Sequence, residues 1–201
     1  MALHAYDGDA GTWQRFLQGN REAFTTLYAR FALLLYNYGC KQCADPRLVE
    51  DCIQDMFEYL LQHRTRLAAV NNVKAYLFKA FRRTLLHKIS NMRKNVPAAL
   101  TDAAGFAIVI SPESALIGRQ SEQRRQEQVK HALNVLPPRM REALFLRFYE
   151  ALSFEDIAAV MDIDQKSVYK MIYKALDKLR QKLADFPLWT ILLVLCMEWQ
   201  L

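Results

Sequence analysis

The chain has 201 residues, 52% of them apolar and 24% charged, with 27 basic side chains against 21 acidic and a formal net charge of +6. It is long enough to bury one sizeable core or two small ones. Four cysteines in a chain of this size exclude a disulfide scaffold. Met1 is followed by polar, acidic sequence rather than a basic start and an apolar run, so no secretory leader is expected, and the expected setting is the cytoplasm, with reduced thiols.

The charge is unevenly placed. Residues 1–63 carry five basic and eight acidic groups, whereas residues 64–94 carry nine basic groups and no acid. A second cationic feature follows about 90 residues later, which implies one polyanion touched in two places.

Taken in order, almost every segment has helical periodicity. A first helix is predicted over Asp9–Leu17, with Trp13, Phe16 and Leu17 inward and Gly19 ending it. Asn20 caps a second, in which Phe24, Leu27, Tyr28, Phe31, Leu34, Leu35 and Tyr38 recur at three- and four-residue steps until Gly39. Cys40 and Cys43 then form a lone CxxC with no second pair and no nearby histidine, which favours reduced thiols over a zinc or redox site. Asp45 and Pro46 are an N-cap and a first-turn proline for a third helix reaching about His63. Val49, Ile53, Met56, Phe57 and Leu60 look inward on it, while Glu50, Asp51, Gln54, Asp55 and Glu58 cover the remaining surface. A fourth helix over about Asn72–Met92 sets Val73, Tyr76, Leu77, Ala80, Phe81 and Leu85 inward, with basic groups between them.

Residues 95–119 differ. Pro97, Pro112, two glycines and many small residues with no sustained period indicate a linker, and the only strand-like signal is the apolar run Phe106–Ile110. The expected architecture is therefore all-α: two small helical domains, 1–94 and 120–185, joined by a flexible linker and followed by an apolar tail, 186–201. In the second domain a helix over Gln120–Leu136 is followed by Pro137-Pro138 and a helix over Arg139–Tyr149.

Ser153 to Leu183 reads as a helix-turn-helix. Ser153 and Asp156 are placed as a capping box, Met161–Asp164 interrupts the period, and Asp164 caps a second helix. In that helix Val168, Ile172, Ala175, Leu176, Leu179 and Leu183 share one stripe, and Lys166, Lys170, Lys174 and Lys178 form a cationic ridge opposite. Such a helix suits a DNA major groove, with lysines on phosphates and residues near its start on base edges; the plainer alternative is a helical hairpin with a solvated lysine face. The tail FPLWTILLVLCMEWQL is uncharged over Leu188–Met197, too short to cross a bilayer of about 30 Å. Folding back onto the domains, capping by a partner, simple packing and membrane-surface association all remain open for it.

The segment LNVLPPRMREALFLRFYEALSFEDIAAVMDIDQKSVYKMIYKALDKLRQKL resembles the promoter-binding C-terminal domain of bacterial sigma factors, with landmarks at Leu136-Pro137, Arg141, Asp156-Ile157-Ala158 and Leu179-Arg180. GNREAFTTLYARF and DPRLVEDCIQDMFEYLLQHR resemble the polymerase-binding half of the N-terminal sigma domain, and VKAYLFKAFRRTLLHKISNMRK its promoter-melting half. Two domains with a short linker match the extracytoplasmic-function (ECF) group, over about residues 9–185. In two places the chain departs from the family pattern: Arg83 and His87 align where Asn and Asp are frequent, and Asp162 stands where the turn usually has Gly.

The resemblance implies an alternative sigma factor that brings core RNA polymerase to promoter DNA and is held by an anti-sigma factor or other regulatory protein. It implies polymerase docking through Asp51, Gln54, Asp55 and Glu58. It also implies a base-receiving loop over about Arg64–Asn72, in which Asn71 and Asn72 either bond a base edge or cap a helix. DNA contact is implied at Lys79, Arg82, Arg83 and Lys88, and in the second domain at Lys166, Tyr169, Lys170, Tyr173 and Lys174. No catalytic, metal or cofactor constellation and no small-molecule site is expected. The alternative reading is a stand-alone helix-turn-helix regulator at an operator.

Overall fold

The structure, a computed structural model, describes residues 8–94, 105–107, 128–129 and 131–183. It divides between Ala104 and Gly105 into two compact units, and among the described residues there is no strand. The tail, most of the expected linker and the start of the helix expected from Gln120 lie outside the described residues.

The first unit contains α1 (Asp9–Leu17), α2 (Arg21–Gln42), α3 (Pro46–Gln62), a 3-10 turn (Arg64–Arg66) and α4 (Val73–Lys94). Local polar chemistry sets the helix starts. Asn20 accepts from the Ala23 amide, Asp45 accepts from Arg47 and Leu48 ahead of Pro46, and Asn72 accepts from Ala75 at 3.1 Å. Gly19, at φ 94°, turns the chain between α1 and α2.

The second helix does not stop at Gly39 as expected. It continues to Gln42, and Cys43 leaves it in extended conformation. Gly39 is instead a close-approach residue: a Cβ there would lie 2.5 Å from Val49 Cγ1 and 2.8 Å from Phe81 Cζ. The glycine lets α2, α3 and α4 meet, a tertiary demand that looks like a helix stop in one dimension.

Trp13 and Phe16 of α1, Phe31, Leu35 and Tyr38 of α2, Val49 and Phe57 of α3 and Leu77, Phe78, Phe81 and Leu85 of α4 are buried together. Trp13 also donates its indole N–H to the Ala68 carbonyl at 3.1 Å and meets the Tyr76 ring edge-on at 5.2 Å. Thus α1 ties down the 64–72 loop and the first turn of α4.

In the second unit, helical residues 131–134 precede α5 (Pro138–Leu144), which passes into a π turn, Phe145–Tyr149, then α6 (Phe154–Met161) and α7 (Gln165–Lys182). A plain helix over Arg139–Tyr149 was expected. Instead the helix starts at Pro138 and widens at its end, where the Glu150 amide donates to the Phe145 carbonyl five residues back at 3.1 Å. Ala143, Leu144, Phe145 and Leu146 are all buried there, so the wide turn keeps four successive side chains inside.

The turn between α6 and α7 forms as the sequence indicates. Ser153 and Asp156 bond reciprocally as a capping box, Asp162 takes the left-handed conformation (φ 55°, ψ 53°), and Asp164 accepts from the Ser167 amide at 2.9 Å. Gly105–Ala107, within the expected linker, packs on this unit: Phe106 is buried with its ring 5.3 Å from that of Phe145.

Candidate polymerase-docking and nucleic-acid interfaces

Helix α3 has two chemical faces. Val49, Cys52, Ile53, Met56, Phe57 and Leu60 are buried, and Asp51, Gln54, Asp55 and Glu58 are all exposed. Met56 and Phe57 are core at 4% and 3% exposure, so the apolar contact of this helix with any partner must come from elsewhere. Tyr59, 56% exposed and stacked on His63 at 4.1 Å, and Leu61, 44% exposed, are large apolar side chains that this helix leaves at the surface. Their position next to Glu58 was a signal that the apolar-face reading passed over. Glu58 is held by an amide N–H of Gln62 at 2.8 Å.

Helix α4 presents the basic surface. Lys79 and Arg83 are exposed, while Arg82 and Lys88 are half-buried. Lys88 pairs with Asp55 of α3, a contact between a residue expected to bind DNA and one expected to bind polymerase. That hydrogen bond, first among several causes, raises the Lys88 pKa above its ordinary value. In the preceding loop Asn71 is exposed, whereas the side-chain oxygen of Asn72 caps α4.

Between α3 and α4 lies a groove of about 590 Å³. Met56, Leu60 and Leu67 form its apolar floor, Tyr59 and Tyr76 are aromatic walls, and Asp55, Lys79 and Arg83 bring charge to it. Tyr76 is half-buried, and burial pushes its hydroxyl pKa up. An aromatic-lined cleft with cations beside it matches a flat base carrying a phosphate.

On α7, Lys166, Lys170 and Lys174 are exposed on one side of the helix, opposite the buried Val168, Ile172, Ala175 and Leu179. Tyr169 and Tyr173 stand among the lysines at 39% and 66% exposure. The Tyr169 ring stacks on Phe154 of α6 at 3.9 Å and 15°, a partnership invisible in the helical period of α7 alone.

The CxxC does not gather a site. Cys40, Cys43 and Cys52 are free thiols, and burial pushes Cys40 and Cys52 away from the reactive thiolate form. Among the described residues no group of His, Cys, Asp and Glu is placed to hold a metal ion, and no helix is long and apolar enough to cross a membrane.

Among the described residues the chain is all-helical, and it sets a basic helix in one unit and a helix-turn-helix in the other, an arrangement suited to DNA binding. Residues 126–179 match the family model for sigma-70, region 4. RNA polymerase sigma factor CarQ of Myxococcus xanthus is 26% identical over 175 residues, covering 87% of this chain and 97% of the relative. The ECF RNA polymerase sigma-E factor of Haemophilus influenzae is 26% identical over 193 residues, covering 87% and 95%. The fold is shared with CnrH, solved with the cytosolic domain of CnrY (TM-score 0.58, 20% identity, 90% of this chain and all of that one). It is also shared with the sigma factor RpoE solved with the anti-sigma factor NepR from Bartonella quintana (TM-score 0.56, 23% identity, 80% and 96%). Over most of its length the chain is similar to ECF RNA polymerase sigma factors, with sigma-70, region 4 matched at its C-terminal end, and these likenesses support an alternative sigma factor acting in transcription initiation.

Proposed function

We propose that the first unit, within residues 1–94, holds both the polymerase-docking and the promoter-melting surfaces, and that residues 120–185 read an upstream promoter element. Asp51, Gln54, Asp55 and Glu58 meet a basic surface of core polymerase, with Tyr59 and Leu61 giving apolar contact beside them. Lys79, Arg82 and Arg83 follow the phosphate backbone near the start site, and Lys88 joins them once polymerase engages Asp55, its partner in the free protein. The α3–α4 groove receives a base extruded as the duplex opens, with Asn71 at the loop that leads to it. Lys166, Lys170 and Lys174 contact phosphates in the upstream element, and Tyr169 and Tyr173 contact bases or sugars.

The observation that carries this reading is the division of charge between adjacent helices. The outer face of α3 carries Asp51, Asp55 and Glu58, while α4, after a loop with no acid, carries Lys79, Arg82, Arg83 and Lys88. A protein that bound only an operator has no use for an acidic face of that kind beside a basic one. CnrH and the Bartonella sigma factor were solved with CnrY and the anti-sigma factor NepR, and a regulatory protein of that kind is the partner proposed here. Such a partner would cover these surfaces until a signal arrives.

Run-off transcription tests the reading. Purified core polymerase, with and without this protein, is given a library of promoter fragments. New transcripts that share a pair of upstream motifs support it. Tight sequence-specific binding by the protein alone, with no transcript, overturns it in favour of an operator-binding regulator.

A further inference from the structure

The side chains around Tyr169 form a column that crosses three elements. Arg147, in the π turn after α5, places its guanidinium carbon 4.6 Å from the centre of the Phe154 ring. The same guanidinium donates to the Leu152 carbonyl at 2.8 Å, which fixes where it can sit. Phe154 is the first residue of α6, and the Ser153–Asp156 capping box sets the backbone on which it stands. The Phe154 ring stacks on Tyr169 at 3.9 Å, and Tyr169 lies nearly parallel to Tyr173, 6.5 Å away.

None of these rings is needed to fill the core. Phe154 and Arg147 are half-buried, and Tyr169 and Tyr173 remain exposed. They lie on the side of α7 that carries Lys166, Lys170 and Lys174. Lysines on phosphates give affinity that does not depend on sequence. Base discrimination must therefore come from other groups on the same face. A tyrosine whose two torsions are already held by stacking contacts DNA with little further loss of freedom. Its ring offers no bidentate hydrogen-bond pattern, and the apolar group that the major groove presents is the C5 methyl of thymine.

We propose that Arg147 and Phe154 are positioning residues that hold Tyr169 as the reader of a thymine methyl group in the upstream promoter element. The proposal rests on the reading of α7 as the promoter-contacting helix, and it adds two residues outside that helix to the machinery of recognition. Arg147 acts through a guanidinium that lies over the Phe154 ring while bonding the Leu152 carbonyl, a combination that the compact ammonium of a lysine does not reproduce.

The test uses holoenzyme reconstituted from core polymerase and the full chain, with a promoter fragment selected from a random library by the wild-type holoenzyme. Each thymine of the upstream element is replaced singly by uracil, which removes the methyl group and nothing else. With wild-type protein, uracil at one position weakens binding about fourfold, the factor expected for one buried methyl. Tyr169→Ala removes that penalty. Phe154→Leu and Arg147→Lys reduce it below about twofold at the same position, while the dependence of affinity on salt stays as in wild type, since no phosphate contact is lost.

Retention of the full penalty by either folded variant overturns the proposal, as does the absence of any sensitive thymine in wild type. Should Phe154→Leu fail to fold by circular dichroism, Arg147→Lys decides alone. Lys170→Glu run in parallel separates the two levels. Unchanged promoter binding by that variant overturns the reading of α7 itself. Lost binding there, with an unchanged uracil penalty in Arg147→Lys, overturns only the column.

Discussion

Replacing Gly39 with alanine sets two effects of known sign against each other. In an exposed helix interior, glycine is about 1 kcal/mol less favourable than alanine, so propensity alone makes Gly39→Ala stabilising. The structure opposes this. The new methyl would sit 2.5 Å from Val49 Cγ1 and 2.8 Å from Phe81 Cζ, where van der Waals contact begins near 3.4 Å. Val49 and Phe81 are both 0% exposed, on α3 and α4 respectively, and neither has solvent to move into. Overpacking of this kind costs about 1–3 kcal/mol, and a clash with two enclosed neighbours belongs in the upper part of that range. After subtracting the propensity gain, the expected net loss is about 1–2 kcal/mol. For a unit of this size that lowers the midpoint of thermal unfolding by roughly 5–15 °C. Circular dichroism gives the midpoint, and hydrogen exchange read by mass spectrometry locates the loss. Peptides from 21–62 should exchange faster, and peptides from 154–182 should be unchanged. A rise in the midpoint would show that α2 does not approach α3 and α4 as closely as described.

Lys170→Glu is expected to abolish recognition of the upstream promoter element and leave core polymerase binding intact, measured by promoter footprinting and by co-elution with core enzyme. Ala151 holds φ 54° without glycine's freedom, so Ala151→Gly should stabilise the second unit by up to about 1 kcal/mol, read as a higher urea midpoint. The side-chain bond from Ser167, followed by the Ser167 backbone amide, lowers the Asp164 pKa below its ordinary 3.8. A depressed carboxylate pKa contributes stability above the unfolded value and loses it as pH falls through the folded value. The α7 cap is therefore intact at neutral pH and weakens only below about pH 3.8, and Asp164→Asn should flatten that part of the urea midpoint against pH.

Helix starts were legible because an N-cap is a local transaction. Asn20, Asp45 with Pro46, Ser153 with Asp156, and Asp164 each satisfy amides two or three residues ahead, and the one-dimensional order contains all the partners. Features that depend on distant partners were not legible. Gly39 serves Val49 and Phe81, ten and 42 residues away, and so reads as a stop. The π turn at Phe145–Tyr149 leaves no period to recognise, since its extra residue only shifts the register of an already apolar run. Asn72 was open between base contact and cap, and its side-chain oxygen is engaged by Ala75. For Tyr169 the identity of the residue was visible, but Arg147 and Phe154 come to it from other elements.

The pairing of Asp55 with Lys88 has a consequence for any mutational map of the first unit. Their side chains are 53% and 32% exposed, so the pair contributes at most about 1 kcal/mol to stability. Because the lysine pKa is raised, that contribution is present below its ordinary 10.5 and is lost only as pH rises through the higher folded value, so it is complete at neutral pH. The pair matters more as a shared resource of the two proposed surfaces. Asp55→Asn removes one docking carboxylate and at the same time releases Lys88 toward phosphate. Core binding should weaken, while the DNA affinity of the isolated protein should rise and its salt slope should steepen by about 0.9, the value for one added phosphate contact. Lys88→Gln should reduce that slope in Asp55→Asn and leave it nearly unchanged in the wild-type background, because there the lysine is already held by the carboxylate. Equal effects of Lys88→Gln in both backgrounds would mean that the two side chains act independently, and that the contact between α3 and α4 does not govern which partner Lys88 serves.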